Sequence, residues 1–331
     1  MMFRRAALPL ALTTTLLAAC GTTPSADVPP VLSEVPGSLQ AQADVPANFI
    51  LFVRGLDPNY SPSADSNGTY AQACSDYWGS ALSYFTDRGW GSKLRTVGIY
   101  SNENGCYVNM HNMRARGSTA DTTARLTNNT SIRVVARRLA WWIYDNYTSK
   151  GYSVGIVSHS MGGLVARAAV GASSKRDPDF PPPLLVKSLV LLATPNFGAS
   201  SGWVGQPYCG QQCTDMSPDS AFLQTLNGSW DTGNSGVKNR WHAVGANDAA
   251  VAAFSFNSGV GGGSGTGCLY TNPSYDHGGI LTDPSNTLNA QVKCWDSAQV
   301  GAKTNLNGIP FTTYTNGSHS IKAAFDWATA P

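Results

Sequence analysis

Several runs of apolar, β-prone residues set the pattern of hydrophobic and polar positions along the chain. They cover residues 48–53, 94–100, 152–157 and 184–193. Most of these runs do not alternate between apolar and polar residues, as strands with one solvated face do. Continuous apolar runs of this kind are typical of strands that are buried on both faces of a parallel sheet.

The segments between these runs have helical features. Residues 132–147 repeat apolar positions at helical spacing, and the segment after residue 160 is rich in alanine. The apolar side of residues 132–147 carries Val135, Leu139, Trp142 and Ile143. Its other side carries Arg133, Arg137 and Arg138, which we expect to face solvent. Strands that alternate with helices predict an α/β fold with a mostly parallel sheet and functional residues at the carboxyl ends of its strands.

The amino terminus has the organisation of a signal peptide. Residues 1–5 are basic, residues 6–19 are mostly apolar but too few to span a bilayer, and the run ends in Leu-Ala-Ala-Cys at Cys20. This ending resembles the lipobox of bacterial lipoproteins, which implies that Cys20 is acylated and anchors the protein to a membrane of the cell envelope. The alternative is ordinary secretion.

Composition then divides the chain into three parts. We expect a signal peptide at residues 1–19, a flexible tether rich in Pro, Ser, Ala and Val at 20–46, and one large α/β domain at 47–331. Removal of the signal peptide leaves equal numbers of basic and acidic residues. Without a dominant basic surface, nucleic acid is not an expected partner. We expect a monomer.

The cysteines beyond residue 20 indicate disulfide bonds, because their number is even and an exported chain meets an oxidising compartment. They are Cys74, Cys106, Cys209, Cys213, Cys268 and Cys294. Their number leaves many pairings open, and our hypothesis is the sequential one: 74 with 106, 209 with 213 and 268 with 294. The Cys-x-x-x-Cys spacing at 209–213 could instead serve metal or redox chemistry, but without a second cysteine pair we favour a disulfide.

Residues 152–168 carry the strongest candidate for catalysis. An apolar run leads to Ser160, and an alanine-rich helix follows. A serine nucleophile exposed on a sharp strand-to-helix turn requires small residues two positions before and after it, and Ser158 and Gly162 meet that requirement. The amino terminus of the following helix directs free N–H groups at the turn, so the N–H of Met161 could stabilise an oxyanion.

The sequence His159-Ser160-Met161-Gly162-Gly163 resembles the nucleophile turn of the α/β-hydrolase superfamily, and within it that of bacterial triacylglycerol lipases and esterases. Ser158 replaces the usual first glycine. The resemblance implies a mostly parallel central sheet with helices on both faces and a small cap. A buried strand that ends in a turn of small residues is the structural alternative, but it would not explain an exposed serine between His159 and Met161.

Two further segments extend the resemblance. Arg54-Gly55-Leu56 follows the first strand and is similar to the Val-His-Gly-Leu ending of the corresponding lipase strand, with Arg54 in place of histidine. The resemblance implies that the N–H groups of Leu56 and Met161 form the oxyanion hole. Residues 198–230 are expected to form the cap, in which Phe222, Leu223 and Leu226 either contact an acyl chain or belong to the core.

The acid and the base of a catalytic triad follow the serine in this superfamily. Asp248 lies in Gly-Ala-Asn-Asp, which resembles the lipase segment that supplies the acid. We expect Asp215 and Asp219 to be helix-capping groups instead. The base is His277 or His319, of which we favour His277, and we expect the side chain of His159 to point away from the site.

Together these residues predict a serine carboxylic ester hydrolase of the cell envelope that forms an acyl-enzyme and requires neither a metal nor an organic cofactor. Its substrate is expected to be a lipid or small-molecule ester, with lipase ahead of short-chain esterase activity. The same triad could act on thioesters, phospholipids or polyesters. A non-catalytic binding lipoprotein on a hydrolase scaffold is the alternative from another functional class.

Overall fold

The computed structural model describes residues 46–56, 73–100, 103–113, 126–204, 210–230, 237, 239–251, 265–284, 288–296 and 310–331. The chain forms two compact units, Met1–Ala41 and Gln42–Pro331, and the described residues all belong to the second unit. The predicted signal peptide, the lipidation site Cys20 and the predicted tether up to Val45 therefore lie outside the described residues.

A single sheet of nine described strands forms the centre of the second unit, in the order β3-β2-β1-β4-β5-β6-β7-β8-β9. Its strands are β1 (Phe49–Val53), β2 (Leu94–Gly98), β3 (Val108–Asn109), β4 (Val154–His159), β5 (Val186–Leu192), β6 (Asn239–Gly245), β7 (Gly265–Asn272), β8 (Leu288–Asp296) and β9 (Thr312–Ser318). All neighbours from β3 to β7 pair in parallel, and β8 and β9 add antiparallel pairs at one edge. The predicted α/β fold with a mostly parallel sheet is confirmed.

Helices connect the strands and cover the sheet. They are α1 (Cys74–Tyr77), α2 (Gly79–Phe85), α3 (Ile132–Asn146), α4 (Met161–Ser174), α5 (Ser201–Val204), α6 (Gln211–Asp215), α7 (Ala221–Thr225) and α8 (Ser320–Thr329), with short helical turns at Thr86–Trp90, Gly91–Lys93, Met110–Asn112, Thr148–Lys150, Leu226–Trp230 and Gly279–Leu281. Among the described residues, no helix combines the length and the apolar character needed to cross a membrane.

The central strand β1 shows why the apolar runs are continuous. Leu51 and Val53 pack into the core on the side of α3 and α4, whereas Ile50 and Phe52 pack into a second core on the side of α2 and α8. Because successive side chains of a strand point to opposite faces, a sheet covered on both faces requires apolar residues at every position.

The arginines of α3 do not form the solvated face that we predicted. Arg137 and Arg138 are buried, with 5% and 2% exposure. Arg138 donates hydrogen bonds to the carbonyl oxygens of residues 110–111, and Arg137 lies 3.9 Å from a carboxylate oxygen of Asp179. Only Arg133 is partly exposed. The prediction was wrong because the segment around 110–111 lies against Arg138 and Asp179 lies near Arg137, and buried guanidinium groups are tolerated where they find acceptors.

Two predicted disulfide bonds are present. Cys74 is bonded to Cys106, which ties α1 to the segment after β2, and Cys268 is bonded to Cys294, which ties β7 to β8. Cys213 is also disulfide-bonded. Its predicted partner Cys209 lies outside the described residues.

The segment predicted to be a cap contains the short helices α5, α6 and α7. Leu223 and Leu226 are buried in the core on the α4 side, which favours the core interpretation of these residues over contact with an acyl chain. Asp215 accepts a hydrogen bond from the N–H of Ile132, in the first turn of α3, at 2.7 Å. The cap of α7, however, is Ser220 rather than Asp219.

Candidate active site

Ser160 occupies the sharp turn between β4 and α4. Its φ and ψ are 54° and −133°, a conformation that costs a non-glycine residue roughly 1–3 kcal/mol and persists only where the surrounding structure enforces it. A Cβ on Gly162 would lie 2.3 Å from the carbonyl oxygen of Arg54, and one on Gly163 would lie 1.9 Å from Oγ1 of Thr194. These contacts explain why glycine is required after the serine.

Ser158 stands where lipases usually have glycine, and the structure accommodates it. The residue is fully buried, and its hydroxyl donates a hydrogen bond to the carbonyl oxygen of Val190 on β5 at 3.0 Å. A buried hydroxyl with such a partner avoids the desolvation cost of an unpaired polar group. The substitution therefore leaves the turn intact.

The structure brings His277 and Asp248 to Ser160. Nε2 of His277 lies 2.9 Å from Oγ of Ser160, and Nδ1 lies 2.9 Å and 3.1 Å from the two carboxylate oxygens of Asp248. These are hydrogen-bond distances for a base that takes the serine proton and an acid that orients the base. The side chains lie in the order Ser160, His277, Asp248, which is the order expected of a nucleophile, a base and an acid.

Asp248 is held by the turn after β6. Its side chain is fully buried, and Oδ1 accepts hydrogen bonds from the N–H groups of Ala250 and Val251 at 2.9 and 3.0 Å. A Cβ on Gly245 would lie 2.0 Å from the carbonyl oxygen of Tyr275, so the turn after β6 runs directly against the loop that carries His277. This close approach of two backbones brings the acid to the base.

His319, the alternative base, is engaged elsewhere. Its Nδ1 lies 2.6 Å from Oδ2 of Asp283, which also accepts a hydrogen bond from the hydroxyl of Tyr275 at 2.8 Å. Burial and the hydrogen bond to Asp283 raise the pKa of Tyr275, which therefore stays protonated as a donor. His319 thus fastens the loop of His277 to the start of α8.

The predicted oxyanion donors lie beside Ser160. A Cβ on Gly55 would be 2.6 Å from Cβ of Ser160, so the backbone that leads to Leu56 passes directly over the nucleophile. Met161 is the first residue of α4. Within the part of the chain that the structure describes, the N–H groups of Leu56 and Met161 donate no hydrogen bond.

One protein family matches the part of the chain that contains Ser160. Residues 107–206, which include β4, Ser160 and α4, match the family described as "Putative serine esterase (DUF676)". The matched family is described as one of serine esterases, and the matched residues include Ser160 of the candidate site. The match covers less than half of the chain. No curated protein matches the chain.

Solved structures similar to this chain are distant in sequence. Phospholipase PlaB from Legionella pneumophila is 15% identical, with a TM-score of 0.40 over 63% of this chain and 44% of that chain. Lipase BlEst2 from Bacillus licheniformis is 14% identical, with a TM-score of 0.41 over 77% and 91%. Lipase B from Aspergillus fumigatus is 14% identical, with a TM-score of 0.37 over 71% and 50%. The chain spans less than half of the phospholipase's length.

His159 does not point away from the site, contrary to our prediction. Its Nε2 lies 2.7 Å from the carbonyl oxygen of His277, and the two rings are 4.8 Å apart between centroids. Burial, with smaller contributions from the charges of His277 and Arg54, holds the pKa of His159 well below its usual value. The prediction failed because the last side chain of β4 points to the sheet face that the loop of His277 covers.

Arg54 shows what replaces the usual histidine of the lipase strand. Its side chain is buried, its Nε lies 3.1 Å from Oε1 of Glu103, and its guanidinium lies 4.5 Å from the ring centroid of Tyr77. An ion pair and a cation–π contact therefore hold Arg54 in place. Arg54 directly precedes Gly55 and Leu56, which we call the oxyanion loop because Leu56 is a predicted oxyanion donor. Sequence reasoning found neither Glu103 nor Tyr77, because nothing in their local sequence marks them as neighbours of the site.

A mostly apolar cavity of about 210 Å³ opens onto Ser160. Its walls combine the site residues with side chains from the turn after β5, the cap and the turn after β6. They are Leu56, Tyr77, His159, Pro195, Ala199, Val204, Cys213, Met216, Ala250, Val251, His277 and Gly278. An apolar cavity beside a nucleophile suits the hydrocarbon part of a substrate. Among the described residues, no group of acidic, histidine or cysteine side chains has the arrangement of a metal site.

Proposed function

We propose that the protein is a serine carboxylic ester hydrolase that works through an acyl-enzyme. One observation carries the proposal: the 2.9 Å separation of Ser160 Oγ from His277 Nε2, with Asp248 on the opposite nitrogen of the same ring. This arrangement serves nucleophilic acyl transfer and has no evident role in passive binding. It therefore favours an enzyme over a binding lipoprotein.

The first half of the proposed reaction acylates Ser160. His277 takes the hydroxyl proton as Oγ forms a bond to the ester carbonyl carbon, and the negative charge of Asp248 stabilises the resulting imidazolium. The carbonyl oxygen becomes an oxyanion beside the N–H groups of Leu56 and Met161. When the intermediate collapses, the bond to the alcohol oxygen breaks and His277 donates its proton to that alcohol.

The second half of the reaction releases the acid. A water molecule enters from the position that the alcohol has left, and His277 takes one of its protons as the water oxygen attacks the acyl carbon. The same N–H groups stabilise the second oxyanion. Collapse then breaks the bond to Oγ, and the proton on His277 returns to Ser160, which restores the enzyme.

The cavity indicates the kind of acyl group that we propose. Its walls are aliphatic and aromatic apart from the triad side, and its volume of about 210 Å³ is below the roughly 300–1,000 Å³ of pockets that enclose drug-sized ligands. We propose that it encloses a short or medium acyl chain, and that longer chains extend beyond its described walls. Esterase and lipase activities then differ in how much of the substrate's acyl chain remains outside the cavity.

We propose further that the enzyme works at the cell envelope, anchored through Cys20. The support is the apolar signal sequence that ends in Leu-Ala-Ala-Cys. Each buried methylene of an attached acyl chain contributes about 0.8 kcal/mol of membrane binding. Incorporation of a palmitate analogue into the wild-type protein but not into a Cys20→Ala variant would support this location, and equal incorporation would refute it.

Hydrolysis of p-nitrophenyl esters from acetate to palmitate tests the proposed reaction. The comparison includes wild type, Ser160→Ala, His277→Ala and His319→Ala. We expect Ser160→Ala and His277→Ala to lose nearly all activity, by roughly 10⁴- to 10⁶-fold in kcat. His319→Ala should retain Ser160-dependent activity, because its imidazole pairs with Asp283 rather than with the nucleophile.

The outcomes separate the competing functions. A wild-type enzyme that hydrolyses none of these esters, with or without detergent, would overturn the ester-hydrolase proposal. The same panel should then be repeated with thioester, phospholipid and polyester substrates. Inactivity on all of them, combined with tight retention of a lipid ligand, would support a binding protein instead.

A further inference from the structure

A chain of hydrogen bonds runs beneath the catalytic groups and joins two loops that are distant in sequence. It starts at the N–H of Gly55, which donates to the hydroxyl of Tyr77 at 3.3 Å. That hydroxyl is hydrogen-bonded to Nδ1 of His159, and Nε2 of His159 is bonded to the carbonyl oxygen of His277 at 2.7 Å. The two ends are therefore the oxyanion loop and the loop of the base.

The backbone groups at both ends fix the direction of the two outer hydrogen bonds in this chain. The N–H of Gly55 can only donate, and the carbonyl oxygen of His277 can only accept. The ring of His159 must therefore carry a proton on Nε2, so that in the neutral ring Nδ1 accepts from the hydroxyl of Tyr77. That hydroxyl in turn accepts from Gly55. One neutral tautomer of His159 satisfies all three hydrogen bonds.

The surroundings of His159 favour this neutral form. The charged and titratable groups that face it are Arg54, Tyr77 and His277, and none of them carries a negative charge at neutral pH. Burial, with smaller contributions from the charges of His277 and Arg54, keeps the pKa of His159 well below its usual value. A neutral ring also matters for the reaction, because a cation 4.8 Å from the His277 ring would oppose formation of the imidazolium.

We propose that Tyr77 and His159 are positioning residues that hold the oxyanion loop and the catalytic base at a fixed separation. We call the hydrogen-bonded chain from Gly55 through Tyr77 and His159 to the carbonyl of His277 the bridge. The inference rests on the proposed ester hydrolysis, since it assigns the bridge a role in that reaction. Leu56, the predicted oxyanion donor, directly follows the bridged Gly55. His277 carries both the bridged carbonyl and the imidazole that contacts Ser160.

The position of the bridge explains why it affects rate more than binding. The oxyanion forms beside the N–H groups of Leu56 and Met161, and the proton moves between Ser160 and His277, so both processes depend on the separation that the bridge sets. Displacement of reacting groups by about 1 Å costs up to about 10²-fold in rate. The acyl cavity, by contrast, keeps its shape when only the hydroxyl of Tyr77 is removed, because the ring that forms its wall remains.

Three variants interrupt or preserve the bridge. Tyr77→Phe removes the shared hydroxyl, His159→Leu removes both ring hydrogen bonds, and His159→Gln can still accept from Tyr77 and donate to the carbonyl of His277. Tyr84→Phe on α2 is the matched control, since Tyr84 is buried among aromatic side chains away from Ser160.

Steady-state hydrolysis of p-nitrophenyl butyrate and the rate of Ser160 phosphonylation by a fluorophosphonate provide the kinetic readouts. We expect Tyr77→Phe and His159→Leu each to lower kcat and the phosphonylation rate roughly 10- to 100-fold, and we expect KM to change less than about twofold in Tyr77→Phe, which keeps the cavity wall. His159→Gln should recover most of the loss, and Tyr84→Phe should behave like wild type. The Tyr77→Phe/His159→Leu double variant should be no slower than either single variant, because each already breaks the same bridge.

The ¹⁵N NMR spectrum of histidine-labelled protein provides a readout that does not depend on activity. At pH 7.5, we expect His159 to be neutral with its proton on Nε2, and we expect Tyr77→Phe to shift the Nδ1 resonance as its donor is lost. The His159→Gln spectrum assigns the signal. Protonation on Nδ1 would overturn the bridge whatever the enzyme's substrate is.

The kinetic outcomes are distinct from a failure of the proposed function. If wild type hydrolyses esters and Tyr77→Phe retains full kcat, the bridge has no positioning role although the hydrolase function stands. Losses that add in the double variant, or a change confined to KM, would equally overturn the inference. If wild type neither hydrolyses esters nor reacts with the fluorophosphonate, the proposed function fails and the positioning role fails with it.

Discussion

Replacement of Asp248 by asparagine should remove catalysis while it leaves the fold nearly unchanged. Oδ1 of Asp248 accepts hydrogen bonds from the N–H groups of Ala250 and Val251, whereas Oδ2 lies 2.9 Å from Nδ1 of His277. In Asp248→Asn, the amide oxygen is the only acceptor that can keep the two backbone hydrogen bonds. The amide NH₂ must therefore take the place of Oδ2 and face His277.

This orientation favours the wrong tautomer of the base. Oδ1 lies 3.1 Å from Nδ1 but already accepts two backbone hydrogen bonds, and the nearer position at 2.9 Å is now a donor. His277 is then expected to accept at Nδ1 and carry its proton on Nε2, which lies 2.9 Å from Ser160 Oγ. A protonated Nε2 cannot take the serine proton. The corresponding replacement in serine proteases lowers kcat roughly 10⁴-fold, and we expect a similar loss here, equivalent to about 5.5 kcal/mol of transition-state stabilisation.

Two measurements check this prediction. The kcat for p-nitrophenyl butyrate at pH 7.5 should fall by about four orders of magnitude, whereas the free energy of unfolding in urea should change by less than about 1.5 kcal/mol, because the two backbone hydrogen bonds persist. Asp219→Asn is the matched control, since Asp219 is exposed and asparagine tolerates its positive φ of 60°. A variant with more than about a tenth of wild-type kcat would refute the orienting role of Asp248.

Two further predictions concern stability. Replacement of both Cys268 and Cys294 by serine removes a disulfide bond that closes a loop of 26 residues. From the chain entropy of such a loop, we expect the free energy of unfolding, measured in urea, to fall by roughly 3.5 kcal/mol. A loss below about 1 kcal/mol would contradict this expectation. Burial holds the pKa of His159 well below its usual value, so the unfolded chain binds a proton at a higher pH than the folded chain does. The free energy of unfolding should therefore fall as the pH drops below about 6.5, by at most about 1.4 kcal/mol per pH unit. His159→Gln should therefore show a shallower decline between about pH 6.5 and 5, and equal slopes would refute this reasoning.

Much of the fold could be predicted because its cause is local. The continuous apolar run that became β1 requires two buried faces, and its alternate residues do pack into two cores. The burial of Arg137 and Arg138 could not be predicted in the same way. It depends on residues from elsewhere in the chain that lie against these side chains, and helical periodicity contains no information about such residues.

The site was predictable where one short segment fixes the geometry. Ser160 needs small neighbours within two residues, so the sequence around it marks the turn directly. The base was harder, because two histidines follow the acid and their order does not reveal which one reaches the serine. His277 lies 2.9 Å from Ser160 and His319 pairs with Asp283, a distinction that exists only once the loops are folded.

By itself, the sequence determined the alternation of strands and helices, the strand-to-helix turn at Ser160 and the candidates for acid and base. These features depend on steric and hydrophobic requirements within a few residues. Only the tertiary structure decided that His159 faces the site and that Tyr77, 82 residues earlier in the chain, contacts it. Hydrogen bonds between distant segments arise from the packing of whole elements against one another, and a local pattern of residues does not encode them.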